Sequence, residues 1–156
     1  MRSLVLSLIM ALLCYNVFGE HKLFNRRSGL VLTASANSDG AAVTQEASSA
    51  RNSRQLWEIE NRSQGTRFRL DDTNRCLDIE GGDGPNLIVW PCGNQDNQHW
   101  RFRDSYGDYR RIQSRRNDNY YLDIQDNSYN AGARSVVRGY RSSNYNSQLW
   151  AILEDF

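Results

Sequence analysis

Beyond residue 20 the apolar positions of this chain come in short bursts, with no sustained helical period. The bursts are rich in Val, Ile, Leu, Tyr and Trp and are separated by Asn, Asp, Gly and Ser. Those separators favour turns, each through its own backbone chemistry. The pattern predicts strands over 30–33, 56–59, 67–70, 76–79, 87–90, 100–102, 109–112, 120–124, 135–138 and 149–153. Many short strands at close spacing imply an all-β barrel or sandwich. Pro85 and Pro91 both flank predicted strands, where no ladder donor is needed.

A repeat lies over this pattern. Gln55-Leu56-Trp57, Gln98-His99-Trp100 and Gln148-Leu149-Trp150 share one signature, with the tryptophans 43 and 50 residues apart. Asp78, in Cys-Leu-Asp-Ile, stands 22 residues before Trp100, and Asp123, in Tyr-Leu-Asp-Ile, stands 27 before Trp150. Thr33, in Val-Leu-Thr-Ala, stands 24 before Trp57. The extra length of the third unit falls in turns around 116–118 and 127–130, where a β-repeat tolerates insertions. The prediction is three repeats, about 22–62, 63–105 and 106–154, giving about twelve strands with pseudo-threefold symmetry. Such a set closes without exposed edges. Trp57, Trp100 and Trp150 are assigned to the core, and each Gln to holding its preceding loop against the strand.

Composition narrows the class. Met1-Arg2-Ser3 followed by the apolar run 4–18, with small Val17 and Gly19, reads as a signal peptide over 1–19. The alternative, a membrane anchor, needs a longer run. The remaining residues, 20–156, are then one secreted, extracellular domain without a membrane span. Cys14 falls in the leader, leaving Cys76 and Cys92. In an oxidising compartment they are expected to pair, against the alternative of two free buried thiols. Net charge is +1, and without Arg2 eighteen basic residues face eighteen acidic ones. That balance argues against a nucleic-acid partner.

Candidate chemistry is sparse. His21 and His99 are the only histidines, so no nucleophilic triad or metal-ligand spacing is present, and no metal or cofactor is expected. His99 is expected exposed. Asp78 and Glu80 could imitate a glycosidase pair, yet such i, i+2 acids are common and Glu80 enters a Gly turn. Arg101, Arg103, Arg110, Arg111, Arg115 and Arg116 crowd one hairpin with Asp104 and Asp108. A site for sulfated or sialylated glycans is one reading, and a solvated, partly self-neutralised surface is the favoured one. Asn61-Arg62-Ser63 is an N-glycosylation sequon in a predicted surface turn.

The three Gln-x-Trp signatures, with Cys76-Leu77-Asp78 and Trp90-Pro91-Cys92 between them, resemble the ricin-type β-trefoil lectins over nearly all of residues 22–153. The resemblance implies a β-trefoil that binds glycans or glycoproteins ending in galactose or N-acetylgalactosamine, without catalysis. It implies a cysteine pair bracketing the site loop, here Cys76 and Cys92. Its sugar-binding residues map to Asp78, Trp90, Asn97 and Gln98, with Ile88 where a polar residue is usual. A second, partly equipped set is Asp123, Tyr140, Asn146 and Gln148, Ser147 having replaced the usual Asn. The first repeat, with Thr33, Ala47 and Arg54 at these places, reads as structural.

The chemistry suits those residue types. A carboxylate accepts from two neighbouring hydroxyls, an indole face covers the C–H face of a pyranose, and an Asn amide both donates and accepts. The turn Gly81-Gly82-Asp83-Gly84 allows positive φ and close backbone approach. The bland alternatives are a turn-capping Asp78 and a core-packed Trp90. At the level of function, the alternative is a trefoil that binds or inhibits proteins with a vestigial sugar site. Asp78 and Asn97 converging on an exposed hollow beside Trp90 favours the lectin.

Overall fold

The computed structural model describes residues 19–154. The signal peptide expected over 1–19 therefore lies, but for Gly19, outside the described residues. Twelve strands run β1 (Glu20–Asn25), β2 (Val31–Ala34), β3 (Val43–Glu46), β4 (Trp57–Arg62), β5 (Gly65–Leu70), β6 (Arg75–Ile79), β7 (Leu87–Pro91), β8 (Trp100–Tyr106), β9 (Tyr109–Ser114), β10 (Tyr121–Ile124), β11 (Ser135–Arg138) and β12 (Trp150–Glu154). All pairings are antiparallel. β1, β4, β5, β8, β9 and β12 pair successively and close into a ring. The hairpins β2–β3, β6–β7 and β10–β11 each join it through one strand, β2 to β1, β6 to β5 and β10 to β9. Single bridges Ala42↔Ile88, Asn86↔Val136 and Thr44↔Arg134 join them into a triangular cap. This is a β-trefoil, with four strands per repeat.

The Gln-x-Trp signature explains the joints. Trp57, Trp100 and Trp150 are buried in one core with Leu32, Leu77 and Leu122. The Trp57 and Trp150 indoles donate to the Leu32 and Leu122 carbonyls, 3.1 Å in each case. Each Gln sits in a short 3-10 turn just before its Trp, and its side chain clamps the loop behind it. Gln55 accepts from the Ser49 N–H and donates to the Ala47 carbonyl. Gln98 does the same with Gly93 and Pro91, and Gln148 with Arg141 and Gly139. A buried amide bonded on both ends is costly to remove, which is why this signature persists three times whatever each repeat binds.

Two strands have no counterpart among the predicted runs. In β3, Gln45 occupies a fully buried inward position that an apolar residue would normally advertise. Its amide accepts from Ser28 and donates to the Ser128 and Asn130 carbonyls, so the polarity is satisfied in the fold and invisible as a period. In β1, Lys22 and Asn25 are buried polar residues that hide the alternation in the same way. His99 is a correction too. It is fully buried, with Nδ1 2.8 Å from the Gln95 carbonyl.

Cys76 and Cys92 form a disulfide with Cα atoms 5.1 Å apart, closing 16 residues of chain. It ties β6 to the loop following β7. Cys76→Ser with Cys92→Ser is expected to lower unfolding free energy by about 3 kcal/mol in the chain-entropy model. Urea denaturation checks this, and an unchanged midpoint would show that strand pairing alone holds the loop.

Half of the arginines of the Arg-dense hairpin, Arg101, Arg111 and Arg116, pair with acids. Arg116 pairs with Asp83, Arg101 with Asp118, and Arg103 donates to Gln113. Arg111, in contrast with the solvated-surface reading, is fully buried and pairs with Asp104. Asn61 is exposed at the end of β4 beside the β4–β5 turn. Among the described residues no helix is long and apolar enough to cross a membrane. No cluster of three or more His, Cys, Asp or Glu is arranged for a metal among them either.

Candidate functional site

In the middle repeat, β6 and β7 pair so that Cys76 faces Trp90 and Asp78 faces Ile88. Alternation along the strands then puts Asp78 and Trp90 on one face. The 3-10 turn Asp96–Gln98 closes over that face. Asp78 Oδ1 accepts from Asn97 Nδ2 at 2.7 Å, and Oδ2 from Gln98 Nε2 at 2.6 Å. Each carboxylate oxygen keeps acceptor capacity beyond these bonds. A hollow of about 410 Å³ opens there, lined by Asp78, Trp90 and Asn97 together with Gly40, Glu80, Gly81, Gly82, Ile88 and Gln95. Trp90 is 48% exposed, so its ring is surface and not core.

Gln98 has a different place from its sequence neighbours in the predicted set. It is buried, and its amide is committed to Asp78, Pro91 and Gly93. It therefore aims the carboxylate and does not line the hollow. Residues from other repeats build the rim. Gly40, from the β2–β3 connection, has φ +80, lies against the Trp90 edge, and donates its N–H to the Val89 carbonyl. Arg75 staples that connection by donating to Asp39 and Asn37. On the opposite lip Arg116, from the third repeat, donates to the Gly82 carbonyl and to Asp83. Sequence motifs could not have indicated Gly40, which lines the hollow from the first repeat, or Arg116, which holds its Gly turn from the third, because both arrive through tertiary contact.

Burial pushes the Asp78 carboxyl above its ordinary pKa, and the amide donations from Gln98 and Asn97 offset this only in part. Two pH trends follow, of opposite sign. The folded protein holds this proton to higher pH than the unfolded chain, so Asp78 costs stability as pH rises through that window. A ligand whose hydroxyls donate to Asp78 needs the ionised acceptor, so its affinity is expected to fall on acidification, starting above the pH where an ordinary Asp titrates. Calorimetric titration with galactose across pH checks this. Constant affinity down to about pH 4, near the ordinary Asp value, would place the acceptor elsewhere.

The third-repeat set does not assemble in this way. Asp123 is fully buried. Its Oδ1 accepts from the Ile124 N–H, and its Oδ2 from Gln148 Nε2 at 3.1 Å, with Arg141 Nε 3.4 Å away. Arg111 takes the other end of Gln148. The carboxylate is neutralised from within the chain. Tyr140 is also not at the stacking position. The β10–β11 register sets Tyr121 opposite Arg138, as it sets Cys76 opposite Trp90. Counting back from the Trp displaced the assignment by two residues, because the loop before Gln148 is longer. Tyr140 instead packs its ring 4.2 Å from the Arg111 guanidinium. Ser147 is buried and donates to Asn127, while Asn146 is exposed at the start of its turn.

The profile of the ricin-type beta-trefoil lectin domain matches residues 19–110, more than half of the chain. The protein belongs to the ricin-type β-trefoil lectin family. Among curated proteins there is no match. Solved structures similar to this lectin include the designed threefold-symmetric protein ThreeFoil, at 27% identity and TM-score 0.79, covering 87% of this chain and 99% of that one. A Macrolepiota procera ricin B-like lectin in complex with lactose follows the same fold at 18% identity and TM-score 0.74, covering 88% and 96%. So does an exo-beta-1,3-galactanase from Clostridium thermocellum, at 22% identity and TM-score 0.78. There the alignment covers 87% of this lectin but 30% of the enzyme. The trefoil thus occurs both as nearly a whole chain and as part of a larger one.

Proposed function

We propose that this lectin is secreted and captures glycans or glycoproteins ending in galactose or N-acetylgalactosamine, non-covalently, through the middle-repeat hollow. One observation carries the reading. Asp78 and Asn97 converge on an open hollow whose wall is a half-exposed Trp90. Asp78 accepts from two ring hydroxyls, Trp90 covers the C–H face, and the Asn97 carbonyl accepts a further hydroxyl proton. The resemblance to a lactose-complexed lectin supports the sugar type. The apolar leader and the disulfide support secretion. The exposed Asn61 sequon suits a glycan in that compartment.

Binding without catalysis fits the arrangement. Asp78 is held by two amide donors as a hydrogen-bond acceptor, and Glu80, exposed at the Gly turn, accepts from Asn86. Affinity for one sugar is expected on the order of mM to tens of μM, since every sugar hydroxyl exchanges bonds with water. A glycan array competed with free galactose tests the reading. Enrichment of galactose-terminated glycans that galactose displaces supports it. Absence of any enriched glycan, with capture of a protein ligand, would favour the protein-binding trefoil instead.

A further inference from the structure

The first repeat, which lacks Asp, aromatic and Asn, nevertheless keeps a hollow. Its volume is about 420 Å³, against about 410 Å³ in the middle repeat. It occupies the equivalent place. In the β2–β3 register Thr33 faces Thr44 and Val31 faces Glu46, as Asp78 faces Ile88 and Cys76 faces Trp90. Thr33 therefore replaces Asp78, Glu46 replaces Trp90, and Arg54, just before Gln55, replaces Asn97. The hollow has exchanged a carboxylate floor for a hydroxyl and a neutral amide for a guanidinium.

The guanidinium is not spent. It donates to Asn52 Oδ1 and to the Ser35 carbonyl, both neutral acceptors. Among the described residues its charge meets no carboxylate. This contrasts with Arg69, Arg75, Arg111 and Arg116, each paired with an acid. Glu46 shares the lining but accepts from Thr44 Oγ1 at 3.0 Å. One guanidinium, one acid, and the Thr33 hydroxyl, which gives its proton to the Val31 carbonyl and keeps acceptor capacity, thus surround a space the size of a sugar. Arg is the side chain best shaped to pair with a planar or tetrahedral anion.

We propose that the first-repeat hollow is a separate site for an anionic sugar, one carrying a carboxylate or a sulfate, with Arg54 pairing the anion. Thr33 and Glu46 meet its ring hydroxyls. The choice of a saccharide rests on the lectin reading, but the site does not use the middle-repeat residues. The protein would then hold two unlike sugars at once, a neutral one over Trp90 and an anionic one against Arg54.

The test is a two-dimensional amide NMR titration with three probes: methyl glucuronide, a sulfated galactose and neutral methyl galactoside. The wild type, Arg54→Gln and Asp78→Asn are compared. Expected is binding of one or both anionic probes, shifting the amides of Ser49 and Gln55. Their affinity should fall about tenfold or more in Arg54→Gln, the size of a lost charge-assisted contact, and stay unchanged in Asp78→Asn. Saturating methyl galactoside should not displace them. The glucuronide and sulfate arms distinguish the two anions. Neither anionic probe binding, equal affinity in Arg54→Gln, or displacement by methyl galactoside overturns the proposal. Arg54 is exposed, so the variant is expected to fold, and its amide spectrum reports that directly. Failure of methyl galactoside on the wild type counts against the middle site, independently of the Arg54 result.

Discussion

Asp78→Ala is expected to abolish measurable sugar binding while leaving a folded protein. The side chain is almost wholly buried, yet it lines the hollow, with Asn97 donating to one oxygen and Gln98, from behind, to the other. Removing it deletes the acceptor for two sugar hydroxyls. It also leaves two amides without their partner and free to turn into the space. Losing charge-assisted bonds to a ligand typically costs about 1.5–3 kcal/mol each, so for two bonds a fall of more than about a hundredfold in affinity is expected. A mM-range lectin then drops below detection on an array. Asp78→Asn separates charge from shape: it keeps the side-chain outline, and its affinity should lose the acid dependence expected of the native site. Full binding by Asp78→Ala would move the sugar away from this hollow.

The second large effect distinguishes two tryptophans that look alike in sequence. Trp57→Ala is expected to destabilise the fold by about 3–5 kcal/mol, as for other large aromatic deletions in cores. Trp57 has no exposed surface, and its indole N–H bonds the Leu32 carbonyl. Trp90→Ala removes a half-exposed ring from a hollow wall, so its unfolding midpoint should move little while galactose affinity falls. Chemical denaturation and sugar titration on both variants make a crossed comparison. A large stability loss from Trp90→Ala, with affinity intact, would return Trp90 to the core.

Much of the fold was legible from residue order. The Gln-x-Trp signature recurs because each Gln clamp and each Trp serves local closure, and local closure is written in contiguous residues. Ten strands announced themselves by apolar runs. The two that did not, β1 and β3, carry buried Lys22, Asn25 and Gln45. Satisfied buried polar groups erase the periodicity on which strand prediction depends.

The site was legible in part. Asp78, Trp90 and Asn97 lie within one repeat at repeat spacing, and they converge in space. Gln98, expected among the sugar-binding residues, instead lies behind the hollow, holding Asp78. Tyr140 was misplaced because counting from the Trp ignores where the extra residues enter, whereas strand pairing counts from Asp123. That Arg141 neutralises Asp123, and that Arg54 is left unneutralised, follow from loop paths which residue order does not reveal.

The sequence by itself determined the threefold trefoil, the cysteine pair and the three middle-repeat residues that face the proposed sugar, because each depends on spacing within one repeat. Tertiary structure alone decided the shape and lining of the hollows in the first and middle repeats. It set the register that put Arg138 where Tyr140 was expected, and it brought Gly40 and Arg116 from neighbouring repeats to the rim. The physical reason is that a hollow between hairpins is bounded by chain from elsewhere, and the charge it presents depends on which ion pairs form across the boundary.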